Sequence, residues 1–377
     1  MPDSLVNLDT IPLALLLILS FVFLVQIAYY LIIFLRLSFY KMAKPIEPRE
    51  GVSVVICAHN EYYKLKDNLP LILDQDYPLF EVLVVNHASD DETGYLLSDL
   101  QREYPALRSI VIQEDLNFFT GKKFPLSIGI RSAKYDKVLL TDADCRPSSR
   151  NWITSMQSAY RKGIEVVIGY SPYSRSKGLL NRLIRFDTAH IATQYLSYAL
   201  AGLPYMGVGR NLSYLKSVFY YNKGFIQHYR VRSGDDDLFI NRVARKSNTA
   251  VVVNPEGFTY SEPKKSFSHW ITQKRRHLTT SSHYRFKFKF LLGLYSLSLF
   301  GFYLFAALML SLNFSIFPVL GLVVLRMIVQ YLIFAPCFSK LGERDLIFFI
   351  PLLEIVLLLL NIGIGITNIF RKPNTWN

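Results

Sequence analysis

Val138-Leu-Leu-Thr-Asp-Ala-Asp-Cys-Arg146 decides how the rest of the chain is read. Val138, Leu139 and Leu140 are an apolar run that predicts a buried strand, and Asp142 and Asp144 follow where that strand should end. Residues two apart on a strand point to the same side, so the two carboxylates lie together at a strand's C-terminal end. In open α/β sheets that edge is where ligands bind. Adjacent carboxylates repel one another and call for a cation. Hard oxygen ligands on few residues suit Mg²⁺ or Mn²⁺ shared with phosphate groups. A solvated Asp-x-Asp turn has the same spelling, and the neighbouring sequence has to choose between the two.

Outward from this stretch, strands and helices alternate. Val52 to Cys57 is a β-branched run ending in Ala58-His59-Asn60-Glu61, and Leu65 to Leu73 reads as a helix. Phe80 to Val85 is a second strand, ending in Asn86-His87-Ala88-Ser89-Asp90-Asp91. Asp91 to Gln101 reads as a helix with an acidic first turn, Ser109 to Gln113 as a third strand, and Gly121-Lys122-Lys123 opens a helix through Ala133. This alternation predicts an α/β fold, three layers α/β/α with a mainly parallel sheet. Two strands end in acidic or amide residues and a third in Asp-x-Asp. Polar groups gathered on one sheet edge mark a site better than any one of them does.

The chain has 377 residues, 51% of them hydrophobic, and the apolar excess sits at its two ends. Ile11 to Leu35 carries no charge in 25 positions, enough to span a bilayer. It is too long for a signal peptide and no small-residue cleavage site follows, so it reads as an anchor. Phe290 to Leu325 carries none in 36 positions and is broken by Asn313 and Pro318, which predicts a hairpin of spans 291–311 and 318–336. Leu346 to Phe370 is a fourth candidate, interrupted by Pro351 and Glu354. Arg36, Lys41, Lys44 and Arg49 follow the first span, whereas Asp3 and Asp9 precede it. The positive-inside rule therefore places residues 45–265 in the cytoplasm, beneath an inner cell membrane. Four full spans put Arg371 and Lys372 on the wrong side for that rule, and a re-entrant last segment turning at Pro351 or Gly363–Gly365 is the alternative. Cys57, Cys145 and Cys337 show no paired spacing, as expected of a reducing compartment. The net charge of +13 suits anionic lipid heads and phosphorylated substrates, with no nucleic-acid partner expected of a membrane protein.

The motifs resemble those of the family 2 inverting glycosyltransferases, which have a nucleotide-sugar-binding A-type fold. The residues that carry the resemblance are Ser53 to Glu61, Glu81 to Thr93, Gly121-Lys122, Thr141 to Asp144, Gly207 to Leu212, Gly234 to Leu238 and Gln273 to His277, in the family's order. Within the family it is similar to ceramide glucosyltransferases and to processive polysaccharide synthases such as hyaluronan synthase. The resemblance implies a nucleotide-sugar donor, expected to be a UDP-sugar, with Asp144 and Asp142 holding Mg²⁺ or Mn²⁺. It puts the base and ribose against Ala58, His59, Asn60, Glu61 and Asn86, with Lys122 near them. Asn86 stands where many members have Asp, and His277 replaces the usual Trp of the last motif. The implied organisation is an anchor (1–44), a cytoplasmic transferase domain (45–265), an amphipathic interfacial region (266–289) and a C-terminal membrane region (290–377).

Inverting transfer needs a base for the acceptor hydroxyl and charge stabilisation for the leaving diphosphate. The resemblance favours Asp236 as base with Asp235 next; Asp235 to Asp237 would also suit a helix N-terminus. On a helix from Ser266 to Thr280, Phe267, Trp270, Ile271 and Leu278 share one side. His269, Gln273, Arg276 and Thr280 lie opposite, and Lys274 falls in the apolar stripe, where it is expected to snorkel. The resemblance turns Gln273, Arg276 and His277 to the donor, with Arg276 on the diphosphate, and places Arg210 and Asn211 near the acceptor. A lipid acceptor is favoured over a growing glycan; a membrane nucleotidyltransferase and a dead scaffold are the other classes weighed. Arg326 and Glu354, at similar depth in spans joined by a short loop, are expected to pair, because an unpaired charge in the bilayer is costly. That pair is also placed beside the acceptor lipid's headgroup path.

Overall fold

A computed structural model describes residues 10–41, 50–113, 121–231 and 233–370. The linker at 44–48 and the terminal charges Asp3, Asp9, Arg371 and Lys372 lie outside the described residues. The chain opens with α1 (Thr10–Tyr29), which continues through one π turn (Tyr30–Phe34) into α2 (Leu35–Phe39). Then follow β1 (Val52–Ala58), α3 (Tyr62–Leu73), β2 (Phe80–His87), α4 (Thr93–Glu103), β3 (Leu107–Ile112), α5 (Lys123–Ser132) and β4 (Lys137–Asp142). The second half carries β5 (Cys145–Pro147), α6 (Trp152–Gln157), β6 (Val166–Ile168), α7 (Leu179–Leu200), β7 (Leu212–Leu215) and α8 (Lys216–Tyr221). After these come α9 (Asp237–Val243), β8 (Thr249–Val251), β9 (Thr259–Ser261), α10 (Phe267–Leu278), α11 (Phe286–Ser311), α12 (Ile316–Lys340) and α13 (Ile350–Phe370).

Seven strands form one sheet in the order β3-β2-β1-β4-β7-β6-β8. The first four run parallel, β7 is antiparallel to β4 and to β6, and β8 is parallel to β6. The sheet is therefore mainly parallel and covered on both faces, as its uninterrupted apolar strands require. Val54, Ile56, Val84 and Leu139 face one layer with α3 and α6. Val55, Val138, Leu140 and Ile168 face the other with α5, α7 and α9. Each such fully buried side chain contributes about 1.5–3 kcal/mol. The register pairs Cys57 with Asp142 and Ala58 with Asn86, so the polar ends of β1, β2 and β4 share one edge. Helix α4 starts two residues later than its acidic turn suggests. Asp91 stays outside, where its carboxylate accepts from Thr93 N–H at 3.0 Å in a turn just before the helix.

Among the described residues, four helical segments are long and apolar enough to cross a membrane: Ile11–Phe39, Phe286–Ser311, Ile316–Lys340 and Arg344–Asn368. Leu17, Phe21, Leu297, Phe317, Leu332 and Leu359 are exposed on them, an outer surface suited to lipid rather than water. The last segment does not turn back. Pro351 is the second residue of α13, where it costs no hydrogen bond, and the helix runs straight through Gly363–Gly365. Arg326 and Glu354 meet at 2.8 Å and are both buried, as their isolation in apolar sequence requires. Tyr303 Oη donates to the same Glu354 oxygen at 2.8 Å, and Gln26 of α1 joins Arg326 at 3.4 Å while donating to Ser298 at 2.6 Å. One polar knot thus ties all four segments together.

Candidate active site

The site sits on the sheet edge where β1, β2 and β4 end. Asp142 is the last residue of β4 and Asp144 lies in the turn into β5. The pairing of β5 with β9 brings Ser261 beside that turn, where its hydroxyl donates to Asp144 Oδ2 at 3.0 Å. Carboxylate oxygens of Asp142 and Asp144 and the Cys145 sulfur lie within 4.8 Å of one another. Burial pushes the Cys145 thiol well up, so it stays protonated, and it donates to Asp144 Oδ1 at 3.4 Å. The donors left to a cation are carboxylate oxygens, which fits Mg²⁺ or Mn²⁺ and not a thiolate-seeking metal.

Lys122 pairs with Asp142. Burial would raise the Asp142 pKa, but the Lys122 ammonium, with Arg210 and Arg276 behind it, holds it below the usual range. Lys122 is thereby held against Asp142 at the end of β4, the strand next to β1. Arg210 stacks over the Tyr173 ring at 4.5 Å and donates to Ser171 O at 3.1 Å. Its Nη1 is buried with no protein partner. Gln273 of α10 donates to the Tyr173 hydroxyl at 3.2 Å, which fixes this helix against the cleft. Arg275 bonds Asn368 at 2.8 Å, so α10 is also tied to the end of α13. His277 lies exposed in the last turn of α10.

Two loops close the other end of the edge. Asn60 (φ +55°) and Ala88 (φ +47°) both adopt the left-handed conformation just past their strands. Asn60 Oδ1 accepts from Asp90 N–H at 2.8 Å, its own N–H donates to Ser89 at 2.9 Å, and His59 Nδ1 sits 2.7 Å from His87 O. Glu61 pairs with Lys64 at 2.6 Å. Ala58 is a buried strand residue, and Asn86 is buried and accepts from the Ser89 hydroxyl, so both shape these loops from beneath.

Asp236 caps α9. Its Oδ1 accepts from Asp237 N–H at 2.7 Å and its Oδ2 from Gly209 N–H at 2.8 Å. Burial and the Asp237 charge push its pKa up to about 6. Asp235 is also raised to about 6, by burial and then by Asp236, with Lys122 opposing. Asp237 turns away and accepts from Thr280 and, at 2.8 Å, from Tyr284, fastening α9 to the start of the membrane helices.

Two expectations do not hold. Asn211 is wholly buried: it donates to Tyr170 O at 2.8 Å and Gly257 O at 2.7 Å and accepts from Trp152 Nε1 at 3.0 Å. A side chain at Gly169 would come within 2.5 Å of it. Asn211 is a strut of the fold and cannot meet an acceptor. Lys274 does not snorkel; it is buried and pairs with Asp187 of α7 at 2.7 Å. Lys123, Tyr173 and Ser261 belong to the site without any family motif pointing to them. Only Lys123 carried a signal, a cation in a first helical turn where the dipole favours anions.

The family model described as "Glycosyltransferase like family 2" matches residues 48–280. The chain belongs to that family. It is 30% identical over 95 residues to a poly-beta-1,6-N-acetyl-D-glucosamine synthase of Staphylococcus epidermidis; the match covers 25% of this chain and 22% of that synthase. It is 29% identical over 142 residues to the probable glycosyltransferase YdaM of Bacillus subtilis, covering 36% of this chain and 33% of the other. The chain thus spans a third or less of the length of these relatives. Among solved structures it resembles the mannosyltransferase PcManGT from Pyrobaculum calidifontis, solved with GDP-Man and Mn²⁺. The TM-score is 0.56 with 18% identity, over 89% of this chain and 96% of that one, a likeness of fold.

Proposed function

We propose that this glycosyltransferase moves a sugar from a nucleotide-sugar donor, with inversion, onto a membrane-borne acceptor, and that the acceptor is a lipid. The observation that carries the reading is the set of charges gathered in the cleft. Lys122 holds the Asp142 carboxylate of the Asp142–Asp144 pair, and the same ammonium acts on Asp235 and Asp236, whose pKa values are raised. A leaving diphosphate and a departing proton need those two kinds of group.

Asp142 and Asp144 would hold the divalent cation. When bound, such a cation neutralises charge growing on the leaving diphosphate. Arg276 and Arg210 serve the same diphosphate, which moves Arg210 from the acceptor side to the donor side. Lys122 exchanges its Asp142 partner for a phosphate oxygen. Ala58, His59, Asn60, Glu61 and Asn86 form the floor and rim for base and ribose, through loop backbone as much as side chains. Asp236 takes the acceptor proton while the acceptor oxygen bonds to the anomeric carbon and the bond to the diphosphate breaks. Its two backbone N–H bonds hold the carboxylate in one orientation and leave lone pairs for the proton. On this reading the cleft faces the cytoplasm, and the short path from Asp237 through Tyr284 into α11 supports an acceptor held at the membrane surface.

A processive polysaccharide synthase is the second reading, favoured by the poly-N-acetylglucosamine synthase among the relatives. Four segments whose polar groups are tied into one knot offer little channel lining. Incubating membranes with a panel of labelled sugar nucleotides and separating the products decides between them. Label in the lipid extract, with release of nucleoside diphosphate, is expected; label in polymer would favour the synthase.

A further inference from the structure

Two consecutive lysines open α5, at the helix end where the backbone dipole favours anions. Lys122 is matched by Asp142. Lys123 is only 5% exposed, and its ammonium donates to three main-chain carbonyls: His228 at 2.7 Å, Val231, and Ser233 at 2.9 Å. All three of its protons are spent on one loop. That loop leads into Gly234, whose φ of +95° turns the chain, and then into Asp235, Asp236 and Asp237. Burying a lysine is costly unless its protons are used, so a lysine kept here needs a reason beyond packing. Burial lowers its pKa to about 8, with Asp235, Asp237 and Asp236 drawing it back up.

We propose that Lys123 is a positioning residue that sets the distance between the base and the donor. Neighbouring residues of one rigid helical turn hold Asp142 on one side and the loop feeding Asp236 on the other. The two halves of the reaction are thereby indexed to a single point in the fold. The inference rests on Asp236 as base. A displacement of about 1 Å in such a geometry costs about 100-fold in rate.

Lys123→Met keeps the apolar stem and removes all three bonds. Turnover should fall about 100-fold, with the KM for the donor little changed because Asp142, Asp144 and Lys122 stay in place. Trypsin should cut after Arg230, an exposed site inside the loop, faster than in wild type, as read by mass spectrometry. Lys123→Arg keeps charge and donors and should recover part of both turnover and protection. Wild-type turnover in Lys123→Met overturns the proposal, whether or not cleavage speeds up. So does a loss of kcat/KM that lies wholly in KM. If Lys123→Met does not fold, Lys123→Arg alone decides, and wild-type turnover together with faster cleavage there contradicts positioning. Should wild-type protein transfer no sugar, the base assignment fails, and unchanged cleavage of Lys123→Met then shows that Lys123 does not hold the loop.

Discussion

Two ion pairs show how differently this chain uses charge. Lys122–Asp142 lies on the sheet edge with side chains 18% and 34% exposed. Arg326–Glu354 lies between membrane helices with side chains 1% and 2% exposed. The first is surrounded by charges that do not cancel: Arg210, Arg276 and Asp144 beside it, and Asp235 and Asp236, with raised pKa values, within reach of the Lys122 charge. The second is enclosed: Gln26, Tyr303 and Gln330 surround Arg326, while its Nε and Glu354 Oε1 are buried without a hydrogen-bond partner. A pair left open can trade its partner for substrate, whereas a closed pair in hydrocarbon surroundings holds helices together. Perturbed groups mark function only where they remain accessible.

The comparison is broken most severely at the open end. Asp144→Asn should lower turnover by about 100- to 1000-fold, the usual scale for losing one electrostatic stabiliser, and should weaken Mn²⁺-dependent donor binding. Initial rates of purified protein across a Mn²⁺ titration test this, and near-wild-type rates would remove Asp144 from the metal site.

At the closed end the expected loss is of stability. Arg326→Ala or Glu354→Ala should each cost about 3–5 kcal/mol, because each strands a buried charge. The double change should cost less than the sum. Thermal midpoints in detergent read the coupling, and additive losses would show two independent residues. Little coupling to kcat is expected from the surviving folded fraction.

The smallest effect comes from pH. Asp235 and Asp236 titrate near 6 in the folded chain, against about 3.9 unfolded. The folded state binds more protons between those values, so their contribution to stability is lost as pH rises from about 4 to 6. In chelator-treated protein, Asp235→Asn should raise the thermal midpoint at pH 7.5 and do so less at pH 4. Turnover of wild type should fall as pH drops through about 6, where the base gains a proton. A midpoint gain equal at both pH values would contradict the raised pKa.

Sequence reading reached the features that local pattern determines. The apolar strands and the acids after them placed Asp142 and Asp144 on the sheet edge. The isolation of Arg326 and Glu354 in apolar runs foretold their pairing. What stayed hidden depended on partners distant in sequence. Lys274 looks like a snorkelling residue until α7 brings Asp187 to it from 87 positions away. Asn211 looks like a ligand-facing amide until Gly169, Tyr170 and Gly257 close around it. Lys122 could be assigned to the cleft, but its pairing with Asp142 of β4, 20 positions away, showed only in the folded chain.

The most direct measurement is on Asp236→Asn. Its carboxamide is nearly isosteric but cannot take the acceptor proton, while the donor side of the cleft is left intact. Titrating the purified variant with nucleoside diphosphate in the presence of Mn²⁺, and assaying the same sample for sugar transfer, separates the two halves of the site. The account predicts wild-type nucleotide affinity with transfer abolished. Retained transfer, or nucleotide binding lost together with it, would contradict the separate roles of a cationic donor site and a carboxylate base.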